Sequence, residues 1–153
     1  MFHIVLVAPE IPQNTGTIGR LCVCVDARLH LIRPLGFRLD AARIRRAGLD
    51  YWHHVDLHVH DNWDAYLEAA APPRLHLFTT HANTTLYARH FRDGDHLVFG
   101  NESSGLPPHL HQTYATRRCC IPMPGRHARS HNLANAVSIA LYEGLRQTRY
   151  AAE

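Results

Sequence analysis

The chain contains no lysine: all 16 basic residues among its 153 are arginine. That absence excludes the phosphate loop G-x-x-x-x-G-K-[ST] and every mechanism built on a lysine Schiff base or amine nucleophile. Other signatures are missing too. "PEIPQNTG" follows the first apolar run where an ordinary dinucleotide-binding domain would carry G-x-G-x-x-G. Ser103 and Ser104 lie in "GNESSG", which is not the G-x-S-x-G of a hydrolase elbow. The four cysteines fall as "CVC" (Cys22, Cys24) and "CC" (Cys119, Cys120), never as C-x-x-C, and read as buried reduced thiols. Apolar runs stop far short of the roughly 20 residues that span a bilayer. "MFHIVLVAPE" lacks the basic start and cleavage site of a signal peptide. We therefore expect a soluble, unprocessed cytoplasmic protein with no membrane association.

What is present reads as one ordered domain over residues 1–153. Hydrophobic residues make up 46% and charged residues 19%, with no repeat or low-complexity run, which excludes a disordered chain. The net charge of +3 is mildly basic. Arginine clusters in "RIRRAG" (Arg43, Arg45, Arg46), "TRRCC" (Arg117, Arg118) and "GRHARS" (Arg126, Arg129), a pattern suited to bidentate contacts with a polyanion. Codon usage favouring arginine accounts equally well for the missing lysine. Fourteen histidines raise the question of a metal, above all "HHVDLHVH" (His53, His54, His58, His60). His58 and His60 would share one face of a strand, but no acid or cysteine joins them at ligand spacing. We read a solvated strand face and assign no metal.

Along the chain, "FHIVLVAP", "RLHLIRP", "HVDLHVH", "RLHLFTT", "HLVFG" and "RCCIPM" read as strands. Between them come helices. "NTGTIGRLCVCVDA" places Ile18, Leu21, Cys22 and Val25 at helical spacing, with Asn14 as its cap. "DAARIRRAG" reads as a helix from Asp40 to a stop at Gly48, "DNWDAYLEAAAPP" as a capped helix ended by Pro72 and Pro73, and "LPPHLHQT" as a short helix started by proline. Strands alternating with helices predict an α/β domain on a mostly parallel sheet flanked by helices. Ligands of such sheets bind beyond the carboxyl ends of the strands. The loops there are "APEIPQNTG", "FTTHAN", "FGNESSGLP" and "IPMPGRHARSHN".

Three details in those segments exceed what folding needs. Arg20 projects about 160° from the Ile18/Leu21/Val25 stripe, toward solvent or a ligand. Glu102 sits between two glycines directly after an apolar strand, where a plain turn needs no acid. "RSHNLANAVSIALYEGLR" (129–146) gathers Ser130, His131, Asn132 and Asn135 at the mouth of an apolar helix, although one cap accounts for only one of them.

Together "NTGTIGR", "LVFGNESSGL" and "IPM…RSHNLANAVSIALYE" resemble, in order and spacing, the three motifs of the SPOUT superfamily of S-adenosylmethionine-dependent RNA methyltransferases. The resemblance covers nearly the whole chain, including "PEIPQNTG" and "RRAGLDY". It is nearest to the small bacterial enzymes that methylate the ribose 2′-oxygen of the wobble nucleotide, cytidine or modified uridine, in leucine tRNAs.

The resemblance implies a C-terminal deep trefoil knot, which connection rules alone would exclude. It also implies a cofactor pocket of Phe78, Thr79, Gly100, Ile121, Met123, Ser130, Leu133 and Asn135 for S-adenosylmethionine, with S-adenosylhomocysteine as product. Asn14, Arg20, Glu102, Ser130 and Asn132 would surround the ribose, with Arg20 as a clamp on negative charge. A guanidinium almost never releases its proton, so it does not serve as the base. A homodimer buried through the first and last helices would hold tRNA through phosphate contacts from Arg43, Arg45, Arg46, Arg117, Arg118, Arg126 and Arg129. Val137, Leu141 and Tyr142 would then be buried in the core or the subunit interface. The chain departs from close relatives at Asn101, Ser103, Ser104 and His131, and by about one residue of loop length near Arg126. Two alternatives stay open: a relative acting on ribosomal RNA or another tRNA position, and a non-catalytic RNA-binding module.

Overall fold

A computed structural model describes residues 1–40 and 50–152. Beyond its expected cap Asp40, the helix expected to run to Gly48, with Arg43, Arg45 and Arg46, lies outside the described residues. The elements are β1 (His3–Val7), α1 (Pro12–Val25), β2 (Arg28–Ile32), β3 (Leu57–His60), α2 (Trp63–Ala70), β4 (Leu75–Phe78), β5 (His96–Phe99), α3 (Pro108–Thr113), β6 (Arg118–Cys119) and α4 (Leu133–Arg149). All strand pairs are parallel, in the order β3-β2-β1-β5-β4-β6. The order reverses between β1 and β5, so their carboxyl-terminal loops diverge and leave a crevice there.

Helices cover both faces, which is why β4 and β5 are buried at every residue. On one face Ile4, Leu6, Leu29, Leu31, Leu97 and Phe99 pack with Ile18 and Cys22 of α1 and Val137, Leu141 and Leu145 of α4. On the other, Val5, Val7, Ile32, Leu77 and Val98 meet Tyr66 of α2 and Leu110 of α3. Each fully buried Leu or Ile contributes about 1.5–3 kcal/mol.

Two element boundaries differ from the sequence reading. Helix α1 begins at Pro12, not after Asn14, because proline's fixed φ and missing N–H suit the first helical position. Asn14 is thus inside the first turn and caps nothing, which releases its side chain for other work. Strand β6 is only two residues long instead of running through "RCCIPM": Cys120 bonds instead to Thr84 O and the Leu86 N–H, both at 2.8 Å, and Pro122 and Pro124 have no N–H to extend a ladder. Helix α2 agrees with expectation: the Asn62 side chain accepts the Ala65 N–H at 2.8 Å. It ends at Ala71 in the left-handed region (φ 42°), just before the two prolines.

The expected solvated face of β3 is corrected as well. His60 is buried, its Nε2 2.9 Å from Nδ1 of His30, and its ring meets Tyr66 edge-on. His58 pairs with Asp56 at 2.8 Å. The array continues across the sheet. His30 Nε2 lies 2.9 Å from His3 Nδ1, His3 stacks on His96 at 4.0 Å, and the Tyr66 hydroxyl lies 2.6 Å from His96 Nδ1. The nitrogens of His3, His30 and His96 lie within 4.8 Å of one another. Two of these nitrogens, His3 Nδ1 and His30 Nε2, already face each other in a hydrogen bond, and the His3 and His96 rings stack face to face. Next to them Asp95 is fully buried. Burial would raise its pKa, but hydrogen bonds from His76, the Arg92 N–H and Arg74 outweigh this and hold it below the usual carboxylate range.

Burial above all, with the crowding of neighbouring histidines and, at His3 and His96, the charge of Arg28, holds His30 at a pKa of about 2, His96 at about 3 and His3 at about 4. The unfolded chain takes up these protons near 6.5, so it binds more protons than the folded one at any pH between those values. Stability is therefore complete above pH 6.5 and falls as the pH drops toward 4. Thermal unfolding should show a decline beginning between pH 6.5 and 5, above the range where carboxylates titrate. A midpoint unchanged over that interval would contradict the assignment.

Candidate active site

At the carboxyl ends of the strands a cavity of about 560 Å³ opens beside the switch point. Phe78 ends β4, Phe99 ends β5, and Ile121, Met123, Leu133 and Ala136 close the apolar wall. Polar groups come from the loops: Thr79, Thr80 and His81 after β4, Glu102 to Ser104 after β5, and Ser130 to Asn132 before α4. His111 of α3 also reaches it, 5.9 Å from the His81 ring; burial, then the charges of Arg118 and His81, lower its pKa.

The loop after β5 is shaped by two glycines. A Cβ on Gly100 would lie 2.0 Å from the carbonyl carbon of Gly105, and Gly105 itself adopts φ +70°, which side chains disfavour. Asn101 completes the turn by accepting from the Ser104 N–H and hydroxyl, both at 2.8 Å. This tight return carries Glu102 toward the loop after β1.

Glu102 organises the rim. Its Oε2 accepts the Glu10 N–H at 2.8 Å, and its Oε1 accepts the Ile11 N–H at 3.1 Å and Asn14 Nδ2 at 3.3 Å. With Nδ2 committed, Asn14 uses Oδ1 to accept from Asn132 Nδ2 at 3.0 Å. Asn132 in turn uses Oδ1 to accept the Ala134 and Asn135 N–H groups at 2.9 and 3.3 Å, capping α4. Each amide has one donor and one acceptor end, so the chain of bonds sets the orientation of both and ties the starts of α1 and α4 to one carboxylate.

The structure brings most of the expected site together. Asn14, Glu102, Ser130, Asn132, Phe78, Thr79, Gly100, Ile121, Met123 and Leu133 all line the cavity. Arg20 does not: it is exposed on α1, its guanidinium 5.9 Å from the Tyr51 ring centroid. Asn135 also stands outside the lining, since its place in the first turn of α4 commits its N–H to the Asn132 cap. Arg117, Arg126 and Arg129 are exposed, and Arg118 is half-buried with Nε donating to Ala115 O at 3.3 Å. Val137 and Leu141 are in the core, whereas Tyr142 is 53% exposed. Ile11, His81 and Phe99 lie in the loops expected to bind a ligand and Ala136 in the third motif, but none was singled out, and His111 lies outside all of those segments. His81 follows directly on the predicted strand "RLHLFTT", so its loop could be read as part of the site. His111 could not, because α3 reaches the cavity only through tertiary packing.

Asn132→Ala removes the α4 cap and one bond to Asn14, and should cost about 1–2 kcal/mol. Ser130→Ala, at an exposed position, should change stability by less than about 0.5 kcal/mol. Urea unfolding of the two variants beside the parent chain checks both values, and equal midpoints would refute the coupling drawn through Asn132.

Residues 1–142 match the family described as the SpoU rRNA methylase family. A "tRNA (cytidine(34)-2'-O)-methyltransferase" of Burkholderia pseudomallei is 48% identical over 98% of this chain and 97% of its own length. One of the same name from Aeromonas hydrophila is 48% identical over 99% and 97%. A solved structure described as giving insights into the 2-OH methylation of C/U34 on tRNA superposes with a TM-score of 0.88, at 48% identity over 96% of this chain and 95% of that one. The three motifs that meet at the cavity thus sit in a chain matched along almost its whole length: the protein belongs to the SpoU methylase family.

Proposed function

We propose that the protein transfers a methyl group from S-adenosylmethionine to the ribose 2′-oxygen of the wobble nucleotide, cytidine or modified uridine, of leucine tRNAs in the cytoplasm. The observation that carries the reading is the convergence of residues from all three motifs on one cavity, with apolar walls on one side and the Glu102–Asn14–Asn132 chain at its rim. A volume of about 560 Å³ is in the range of small-molecule sites. Phe78, Ile121, Met123 and Leu133 suit an adenine, and Thr79, Ser130 and the backbone at Gly100 suit a ribose and an amino-acid tail. When bound, S-adenosylmethionine supplies a methyl group already activated by its sulfonium, and S-adenosylhomocysteine remains.

The chain's own tasks are then alignment and handling of charge. Asn14 and Glu102, locked by their mutual bond, orient the ribose; Ser130 and Asn132 face it from the other side. Arg20, held at Tyr51 by a cation–π contact of about 0.5–1 kcal/mol, is free enough to swing onto a phosphate or a developing alkoxide. The exposed Arg117, Arg126 and Arg129, with Arg118 and with Arg43, Arg45 and Arg46, bind phosphates. A homodimer through α1 and α4 completes the RNA surface, supported by the exposed apolar side chains Ile11 at the start of α1 and Tyr142 on α4. The trefoil knot of the superfamily accompanies this reading.

Incubation with methyl-labelled S-adenosylmethionine and unmodified bacterial tRNA, followed by nuclease digestion and mass analysis, tests it. Label is expected on the 2′-oxygen of nucleotide 34 of leucine tRNAs. Label in ribosomal RNA or at another position would move the target, and cofactor binding without any transfer would favour a binding module. Arg20→Ala should abolish turnover while leaving cofactor affinity within a few-fold; persistent turnover would refute its role. RNA affinity should fall steeply with salt, by roughly 0.7–0.9 log units per log unit of salt for each phosphate contact. Light scattering at micromolar concentration should report a dimer.

A further inference from the structure

Glu10 does not line the cavity, yet its side chain crosses the switch point to the loop after β5. Its Oε1 accepts the Ser103 N–H at 3.1 Å and the Ser103 hydroxyl at 2.6 Å. In the opposite direction, Glu102 accepts the N–H groups of Glu10 and Ile11. Each loop thus offers backbone donors to an acid on the other. The two loops are not joined as strands, so these carboxylates do between β1 and β5 what a ladder does further down the sheet.

The backbone of Glu10 is braced from behind. The Gly36 N–H donates to Pro9 O at 2.9 Å, and a Cβ on Gly36 would come within 2.7 Å of Glu10 O. With Glu10 anchored there, its carboxylate can hold Ser103 at a set distance from β1. Ser103 is the residue after Glu102, so fixing its N–H limits how the peptide before it turns, and with it where the Glu102 carboxylate is presented to Asn14. The turn's own bonds, from Ser104 to Asn101 and between Asn101 and Gly105, close the loop on itself but do not tie it to β1.

We propose that Glu10 is a positioning residue for the reaction, acting through Ser103 to hold Glu102 against Asn14. This rests on the methyltransferase reading above for its catalytic consequence, but not for the clasp itself. Two measurements separate them: hydrogen exchange across residues 100–106, and steady-state methyl transfer to tRNA.

Glu10→Ala should speed exchange in 100–106 by about tenfold. It should also lower kcat roughly 10- to 100-fold, with KM for the cofactor within about threefold of the parent's. Glu10→Gln keeps an oxygen that can accept both Ser103 donors and should restore most of each. Ser103→Ala should give a smaller loss, and the double variant should be no worse than Glu10→Ala alone, as for two members of one interaction. Unchanged exchange in 100–106 would overturn the clasp, and Glu10→Ala with full kcat would overturn its role in the reaction. Should Glu10→Ala fail to fold, Ser103→Ala at its exposed position decides the matter by exchange alone. A parent chain that transfers no methyl group would defeat the functional reading and leave the clasp to be judged by exchange.

Discussion

The bond between Glu102 and Asn14 is the constraint on which the rest of the site depends. One carboxylate, delivered by a glycine-bounded turn after β5, takes two backbone N–H groups and one amide from the start of α1. That commits the Asn14 amide, which orients Asn132, which caps α4. A short relay therefore couples the two helices that cover one face of the sheet. Charge-assisted bonds of this kind are roughly twice as strong as neutral ones. Free N–H groups at helix starts also favour a negative group nearby. The acid is what keeps two helix starts and a strand end in register around the cavity.

The sheet face under α2 is built on a different principle. There His3, His30, His60 and His96 stack and hydrogen-bond as neutral rings beside Tyr66. Asp95, the buried acid beside them, is satisfied by Arg74, His76 and a backbone N–H. Imidazoles can be both donor and acceptor, so a row of them satisfies one another without water. The sheet gains a polar core on this face in this way, and the carboxyl-end loops keep their polar groups at a solvent-open rim. The same sheet thus separates what holds the fold from what is left available to a ligand.

The site's apolar wall follows from the sheet as well. Phe78 and Phe99 sit side by side in adjacent parallel strands, their rings stacked at 4.9 Å, at the last position before each chain turns away. A parallel sheet places such residues at the same height. The apolar ends of these two strands form the floor of the cavity, on the β5–β4 side of the switch point.

Much of this was written in local sequence. Runs such as "HIVLV" and "LHLF", prolines at helix starts, the Asn62 cap and the Pro72-Pro73 stop are short-range signals, because strand and helix formation depends on neighbours a few residues apart. The three motifs were legible as a resemblance, and ten of the residues that the resemblance implied meet at the cavity. Tertiary structure decided the partners. Asn14 looks like a cap from its neighbours, but its bonds are to residues 88 and 118 positions away. His58 and His60 look like one solvent face, but His60 is buried against His30 and Tyr66 while His58 stays partly exposed beside Asp56. Arg20 carries the right chemistry but stands beside Tyr51, outside the cavity lining. Hydrogen-bond partners across such separations are set by which loops a strand order brings together, and that is a property of the packed sheet, not of any segment within it.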